Sequence, residues 1–288
     1  MKKRFRTILC LLLMMTLLVP QSVFAYDVSA TTLKEIYRYI IRYEDAQPGG
    51  VVLAGSSSLH LWKTAPEDIA SYGVFSADQV YNFGISGATF QELLDSRYIS
   101  AVAKTKPSVI IVYGANSLSV SRRKAVRNRS VANRATNATI KFIEKTRQAL
   151  RQQGVTNTRF LYVSAVKTPF HYKSCKGKGY TCNIWKRIDI LNSRMLKYAN
   201  AVSYCDYIDT EQYYYRTTPI KKNKVSLRYY LNADTLQDDT HTASAKALIK
   251  KTAVDPLFAA DLKHPSKLAY EKIWTKVAER ASQMKSSL

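Results

Sequence analysis

The chain is short of acids. Twenty-one Asp and Glu stand against 44 Lys and Arg in 288 residues, a formal net charge of +23. Such an excess argues against a cationic partner and favours an anionic neighbour: a cell-wall polymer, a phospholipid headgroup or a nucleic acid. Histidine is scarce, with only four, and so is cysteine, with four. Four metal ligands at finger-like spacing are absent, as is any RNA-binding signature. No metal or cofactor is therefore expected. Long apolar runs are also missing, except at the start, where "ILCLLLMMTLLV" follows the cationic "MKKRFR" and precedes "SVFA". That order is that of a secretory signal peptide, with cleavage expected after Ala25. The run is shorter than the roughly 20 residues a spanning helix needs. Removing residues 1–25 takes away Lys2, Lys3, Arg4 and Arg6 and no acid, lowering +23 by four to +19. Export makes nucleic acid the least expected of the anionic partners, and an anionic cell-surface polymer remains open.

The remaining cysteines are Cys175, Cys182 and Cys205. Cys175 and Cys182 bracket a glycine-bearing loop, so a disulfide between them is plausible in an oxidising compartment. Cys205 is then expected as a buried thiol leading into a strand. Residues 26–288 are long enough for one large α/β domain.

Apolar runs alternate with amphipathic stretches. Strands are expected at Val51–Ala54, at "QVYNFG", at "SVIIVYG", at "RFLYVSAV" and at "CDYIDT". Helices are expected over about Thr32–Glu44, through Phe90, Leu93 and Leu94, over Ala135–Gln153, over Asn183–Val202, and after Pro265. The last carries Tyr270, Ile273, Trp274, Val277 and Ala281 along one stripe. This alternation predicts an α/β sandwich of three layers, a mainly parallel five-stranded sheet covered on both faces. In such sheets, sites lie beyond the carboxyl ends of the strands.

The residues just after each strand are therefore the informative ones. "GSSS" follows the first strand, "GISGATF" the second and "GANSL" the third, while "DLKHPS" precedes the last helix. A serine, a histidine with an acid three residues earlier, an asparagine and an exposed glycine amide are the parts that acyl transfer needs. Ser56 and Ser58 are register alternatives to Ser57. Among the histidines, His60 sits one turn beyond Ser57, too local to approach its hydroxyl from across the sheet. His171 lies beside the Cys175 loop, and His241, with Asp238 three residues before it, rivals His264. Pro265 suits the first turn of a helix and favours His264.

With these blocks in order, the chain resembles the SGNH (GDSL-type) hydrolases, serine esterases with a flavodoxin-like sheet. The resemblance covers most of residues 26–288. It implies Ser57 as nucleophile, the Gly87 amide and the Asn116 side chain as oxyanion donors, His264 as base and Asp261 as its orienter. Two positions depart from the family pattern: Ser56 and Ser117 stand where it carries Asp. The implied activity is cleavage of carboxylic esters through an acyl-enzyme without metal or cofactor. An ester-bearing substrate is implied, with acetyl groups on cell-wall or other polysaccharide favoured. A lipid esterase, an acyltransferase on the same residues and a non-catalytic polysaccharide-binding protein stay open.

The segment "SRRKAVRNR" is expected near the mouth of the site, as a solvated loop or an anion-capturing one. A basic, Tyr-rich insert is expected over about 210–258, where Tyr213–Tyr215 and Tyr229–Tyr230 stack on sugars or cover the core. Oligomeric state is not legible in the sequence.

Overall fold

The computed structural model describes residues 28–115, 118, 128–168, 183–214 and 264–287. Five strands, β1 (Val51–Gly55), β2 (Val80–Gly84), β3 (Val109–Tyr113), β4 (Arg159–Val163) and β5 (Cys205–Ile208), form one sheet in the order β2-β1-β3-β4-β5. All pairings are parallel. Gly55 lies opposite both Gly84 and Tyr113, so the first three strands end in register along a common rim.

Side chains alternate across each strand, and the two faces feed separate cores. Val52, Ala54, Phe83, Ile110, Val112, Phe160 and Tyr162 point to one face. There they are covered by α1 (Ala30–Arg42), α4 (Phe90–Leu93), α5 (Ser96–Lys104), α6 (Asn128–Gln152) and α7 (Asn183–Ala201). Val51, Leu53, Val109, Ile111, Leu161 and Val163 point to the other. Two short helices, α2 (Ser57–Leu61) and α3 (Ala65–Ala70), cover it together with the C-terminal helix. That helix runs as α9 (Lys267–Ala269), a π-helical segment (Tyr270–Trp274) and α10 (Thr275–Ser286). A short α8 (Glu211–Tyr214) follows β5. The expected three-layer α/β sandwich is what the chain forms.

The differences from expectation have local causes. The helix through Phe90 is two helices, because Asp95 takes the N-cap of α5 and accepts the Arg97 amide at 2.9 Å. The long helix begins at Asn128 rather than Ala135, since Val131 and Ala132 extend its buried stripe upstream. The six-residue α3 carries little periodicity and escapes a sequence reading, though Ile69 is buried. Of the five stripe residues expected on the C-terminal helix, Tyr270, Ile273, Trp274, Val277 and Ala281, all are buried.

Cys205 opens β5 at 2% exposure, facing the α6/α7 side. Burial pushes its thiol up to about 12, so it stays protonated at neutral pH. The thiolate is the reacting species. Iodoacetamide at pH 8 is therefore expected to leave Cys205 unmodified in the folded protein and to alkylate it fully in guanidinium. Peptide mass spectrometry checks this, and rapid labelling of the native chain would contradict the buried placement. Cys175, Cys182, residues 1–25 and most of the Tyr-rich insert lie outside the described residues.

Candidate active site

The nucleophile turn begins where β1 ends. Ser56 donates its amide to the Tyr113 carbonyl at 3.0 Å, so the chain leaves the sheet while still tied to β3. That approach has no room for a side chain at Gly55: a Cβ there would sit 1.8 Å from the Tyr113 oxygen. Ser56 is extended (φ −99°, ψ −162°), and the chain then turns into α2 at Ser57. Only glycine at the strand end lets the serine triplet sit this close to the neighbouring strand.

His264 arrives from the far end of the chain, just ahead of α9. Ser266 caps that helix, its Oγ accepting the Ala269 amide at 3.2 Å. The result is a contact across 207 residues: Ser57 Oγ lies 2.7 Å from His264 Nε2. With the ring proton on Nδ1, Nε2 accepts the serine hydroxyl proton, the arrangement required of a general base.

The partners on either side are braced. Tyr270, one turn beyond Ser266, donates its hydroxyl to the Ser58 carbonyl at 2.6 Å, so the helix carrying His264 is bolted to the helix carrying Ser57. Its ring stacks on Trp62 (centroids 6.3 Å, planes 11° apart), and Trp274 packs edge-on against both Trp62 and Tyr113. Tyr214 accepts the Trp274 indole N–H at 3.1 Å and is buried, which makes it core cover rather than a sugar platform. Tyr270→Phe keeps the ring and removes only the bolt. A loss of about 1 kcal/mol in stability is expected, with a several-fold fall in kcat as the Ser57–His264 distance loosens. Urea denaturation and steady-state kinetics read the two effects.

The glycine block forms the turn after β2. Ile85 donates to the Gly55 carbonyl at 2.9 Å, and Ala88 closes the turn on the Ile85 carbonyl at 3.2 Å. Gly87 occupies the third position with φ +83°, the left-handed conformation a type II turn demands there. Among the described residues, no protein group accepts from the Gly87 amide or from the Ser57 amide at the first position of α2. A free N–H on the nucleophile's own residue is one of the donors an oxyanion requires.

The register alternatives are engaged elsewhere. Ser58 is buried, and its carbonyl accepts the Tyr270 hydroxyl. His60 donates from Nδ1 to the Gly84 carbonyl at 3.0 Å, and Tyr39 donates to the same oxygen at 2.5 Å. Asn82 completes the clamp: its Nδ2 donates to the Leu59 carbonyl at 2.8 Å and its Oδ1 accepts the Gly84 amide at 2.9 Å. His60 and Tyr39 therefore hold the glycine turn against α2. The sequence offers no signal for these contacts, since each pairs a side chain with a backbone atom.

Asn116, Ser117 and Asp261 lie outside the described residues, as do His171 and His241. Leu118, two residues past Asn116, is described. Its carbonyl accepts from Arg187 Nη1 at 3.0 Å, while Arg187 Nε donates to Asn128 Oδ1 at 3.0 Å. Arg187 is 9% exposed, and burial pulls its guanidinium below the ordinary arginine value. It ties Leu118 to the starts of α6 and α7. On the neighbouring part of the rim, Lys167 pairs with Asp189 at 2.5 Å and with Glu211 at 3.5 Å, tying the ends of β4 and β5 to α7. Among the described residues, no group of three His, Cys, Asp or Glu is placed to hold a metal ion.

The class defined so far is a doubly wound parallel α/β fold with a serine–histidine pair at the carboxyl edge of its sheet. Solved structures share this fold. A GDSL-like lipase from Bacteroides thetaiotaomicron superposes with a TM-score of 0.54 at 16% identity, over 88% of this chain and 98% of that one. A protein assigned as an acylhydrolase from Bacteroides fragilis superposes with a TM-score of 0.53 at 15% identity, over 86% and 95%. The chain thus has the fold of the GDSL-like lipases and acylhydrolases. No protein-family model and no curated protein sequence matches it.

Proposed function

We infer that this chain is a serine ester hydrolase. The observation that carries the reading is the 2.7 Å approach of Ser57 Oγ to His264 Nε2, on a fold shared with a lipase and an acylhydrolase. In the proposed cycle Ser57 attacks the ester carbonyl as His264 takes its proton. The tetrahedral oxyanion is held by the Ser57 and Gly87 amides, with the Asn116 side chain as a further donor. His264 returns the proton to the departing alcohol. Water, activated by the same ring, then releases the acyl group from Ser57. Asp261, three residues before His264, is the residue assigned to orient the imidazole.

The favoured substrate is a short acyl ester, acetyl on a polysaccharide, reached by an exported protein after loss of residues 1–25. Export rests on the sequence pattern of that segment, and the acyl preference on the resemblance to serine esterases. The test is covalent labelling by a fluorophosphonate probe, followed by hydrolysis of acetyl, butyryl and long-chain p-nitrophenyl esters beside acetylated xylan and peptidoglycan. Labelling at Ser57 with a preference for acetyl supports the reading. Preference for long chains would move the substrate to lipids, and failure of folded protein to label would leave a binding protein on a hydrolase fold.

A further inference from the structure

The described part of the molecule has a second feature that the ester chemistry does not use. Helices α6 and α7 pack side by side on one face of the sheet and carry ten Lys and Arg against two acids (six and four, one and one). Both acids are already engaged. Asp189 Oδ1 is held by Lys167 Nζ at 2.5 Å, and Glu144 Oε1 accepts the hydroxyls of Tyr198 at 2.7 Å and Tyr204 at 2.6 Å. Between the helices runs an open groove of about 980 Å³, lined among others by Arg129, Asn133, Arg194 and Lys197 and by Asp189, the acid already held by Lys167. Arg194 is held by neutral groups alone, its guanidinium donating to Asn133 Oδ1 and, at 3.1 Å, to Asn137 Oδ1. Its charge is thereby fixed in place and left uncompensated. A second hollow along α6 is lined by Lys141, Lys145, Arg147 and Arg151 and meets the groove at the Tyr198–Glu144 contact. From Arg129 to Arg151 the cations of α6 extend over roughly 33 Å at the helical rise per residue.

We propose that this groove binds an extended phosphodiester polymer of the polyol-phosphate type, independently of the Ser57 chemistry. Arginine forks held in a fixed orientation match tetrahedral phosphate oxygens, and a row of cations along a helix matches charges repeated along a chain. The shape disfavours a bilayer: the cations line a concave groove, and Leu196 is the one large apolar side chain exposed on these two helices. A helix that lies on a membrane presents a broad apolar face instead. A nucleic acid strand is disfavoured because, among the described groove-lining residues, Tyr198 is the one aromatic, too few for successive bases to stack on. Arg147 lies 3.8 Å over the Tyr204 ring, and the hydroxyls of Tyr198 and Tyr204 are tied to Glu144.

The test is binding of fluorescent poly(glycerol phosphate) to the full chain by anisotropy at several salt concentrations. The variant Arg129→Gln/Arg194→Gln/Lys197→Gln is compared with Lys34→Gln/Lys104→Gln/Lys276→Gln, which removes the same charge from exposed positions on other helices. Arg129 and Lys197 are exposed, so the double variant Arg129→Gln/Lys197→Gln serves if loss of the Arg194 bonds impairs folding. The groove triple is expected to weaken binding at least ten-fold, and the slope of log K against log salt should fall by about two. The remote triple should change affinity less than two-fold. Equal losses in the two triples would overturn the proposal in favour of diffuse net charge. So would absence of binding by the parent protein, or tighter binding, at matched phosphate, to phosphatidylglycerol vesicles or to oligo(dT).

Discussion

Ser57→Ala abolishes ester hydrolysis: kcat for p-nitrophenyl acetate is expected to fall by a factor of about 10⁴ or more, and fluorophosphonate labelling to vanish. In the proposed cycle the hydroxyl bonded to His264 Nε2 at 2.7 Å is the atom that attacks. Ser58 is buried and is tied to Tyr270 through its carbonyl. His264→Ala should cost nearly as much, because a serine without its base retains only what the amide donors and binding provide. The double variant should then be no slower than the worse single one, since the two residues act as a unit. Additive losses would mean that the pair does not share a proton. Undiminished labelling in Ser57→Ala would reject the assignment of the nucleophile, and full activity in His264→Ala would reject that of the base.

The second large effect is on folding. Gly55→Ala puts a methyl where only 1.8 Å separates it from the Tyr113 carbonyl oxygen. Both groups are backbone or backbone-attached, so relief requires β1 and β3 to part, and Ser56 loses its 3.0 Å bond to the same carbonyl. A destabilisation of about 3–5 kcal/mol is expected, at the upper end for single substitutions. Gly87→Ala is the internal control. Its φ of +83° also disfavours alanine, but nothing lies within 4 Å of the added methyl. It should cost only about 1–2 kcal/mol, from the left-handed conformation alone. Guanidinium denaturation of both variants separates the two mechanisms. Equal losses would show that the close approach at Gly55 is relieved at little cost.

Much of this molecule was legible before any coordinates. The alternation of apolar runs and helical stripes specified the sheet and its layers, because a parallel strand buried on both faces must be apolar throughout. Three of the four blocks could be singled out because each follows an expected strand end, where the fold exposes chain to solvent, and the fourth because it precedes the last helical stripe. The stripe on the last helix was readable for the same reason: Tyr270, Ile273 and Trp274 follow the helical period, and all are buried. What periodicity cannot convey is the bracing. Tyr39, Asn82 and Tyr270 fix the site by reaching backbone carbonyls and amides on other elements, and any residue type leaves a carbonyl there to be reached. The start of α6 was misplaced by about two turns, since Asn, Ser and Arg at its beginning read equally well as loop. The cationic groove was invisible as a groove, because it exists only where two helices far apart in sequence meet.

The C-terminal helix has two jobs that cannot be separated. It roofs one face of the sheet with Ile273, Trp274, Val277 and Ala281, and it delivers the imidazole. Every strand lies N-terminal to that helix, so the Ser57 hydroxyl meets its proton acceptor only once the helix has packed on the sheet. Detaching that helix would uncover one side of the sheet and part Ser57 from the imidazole in the same event, a coupling of packing to the geometry of the pair.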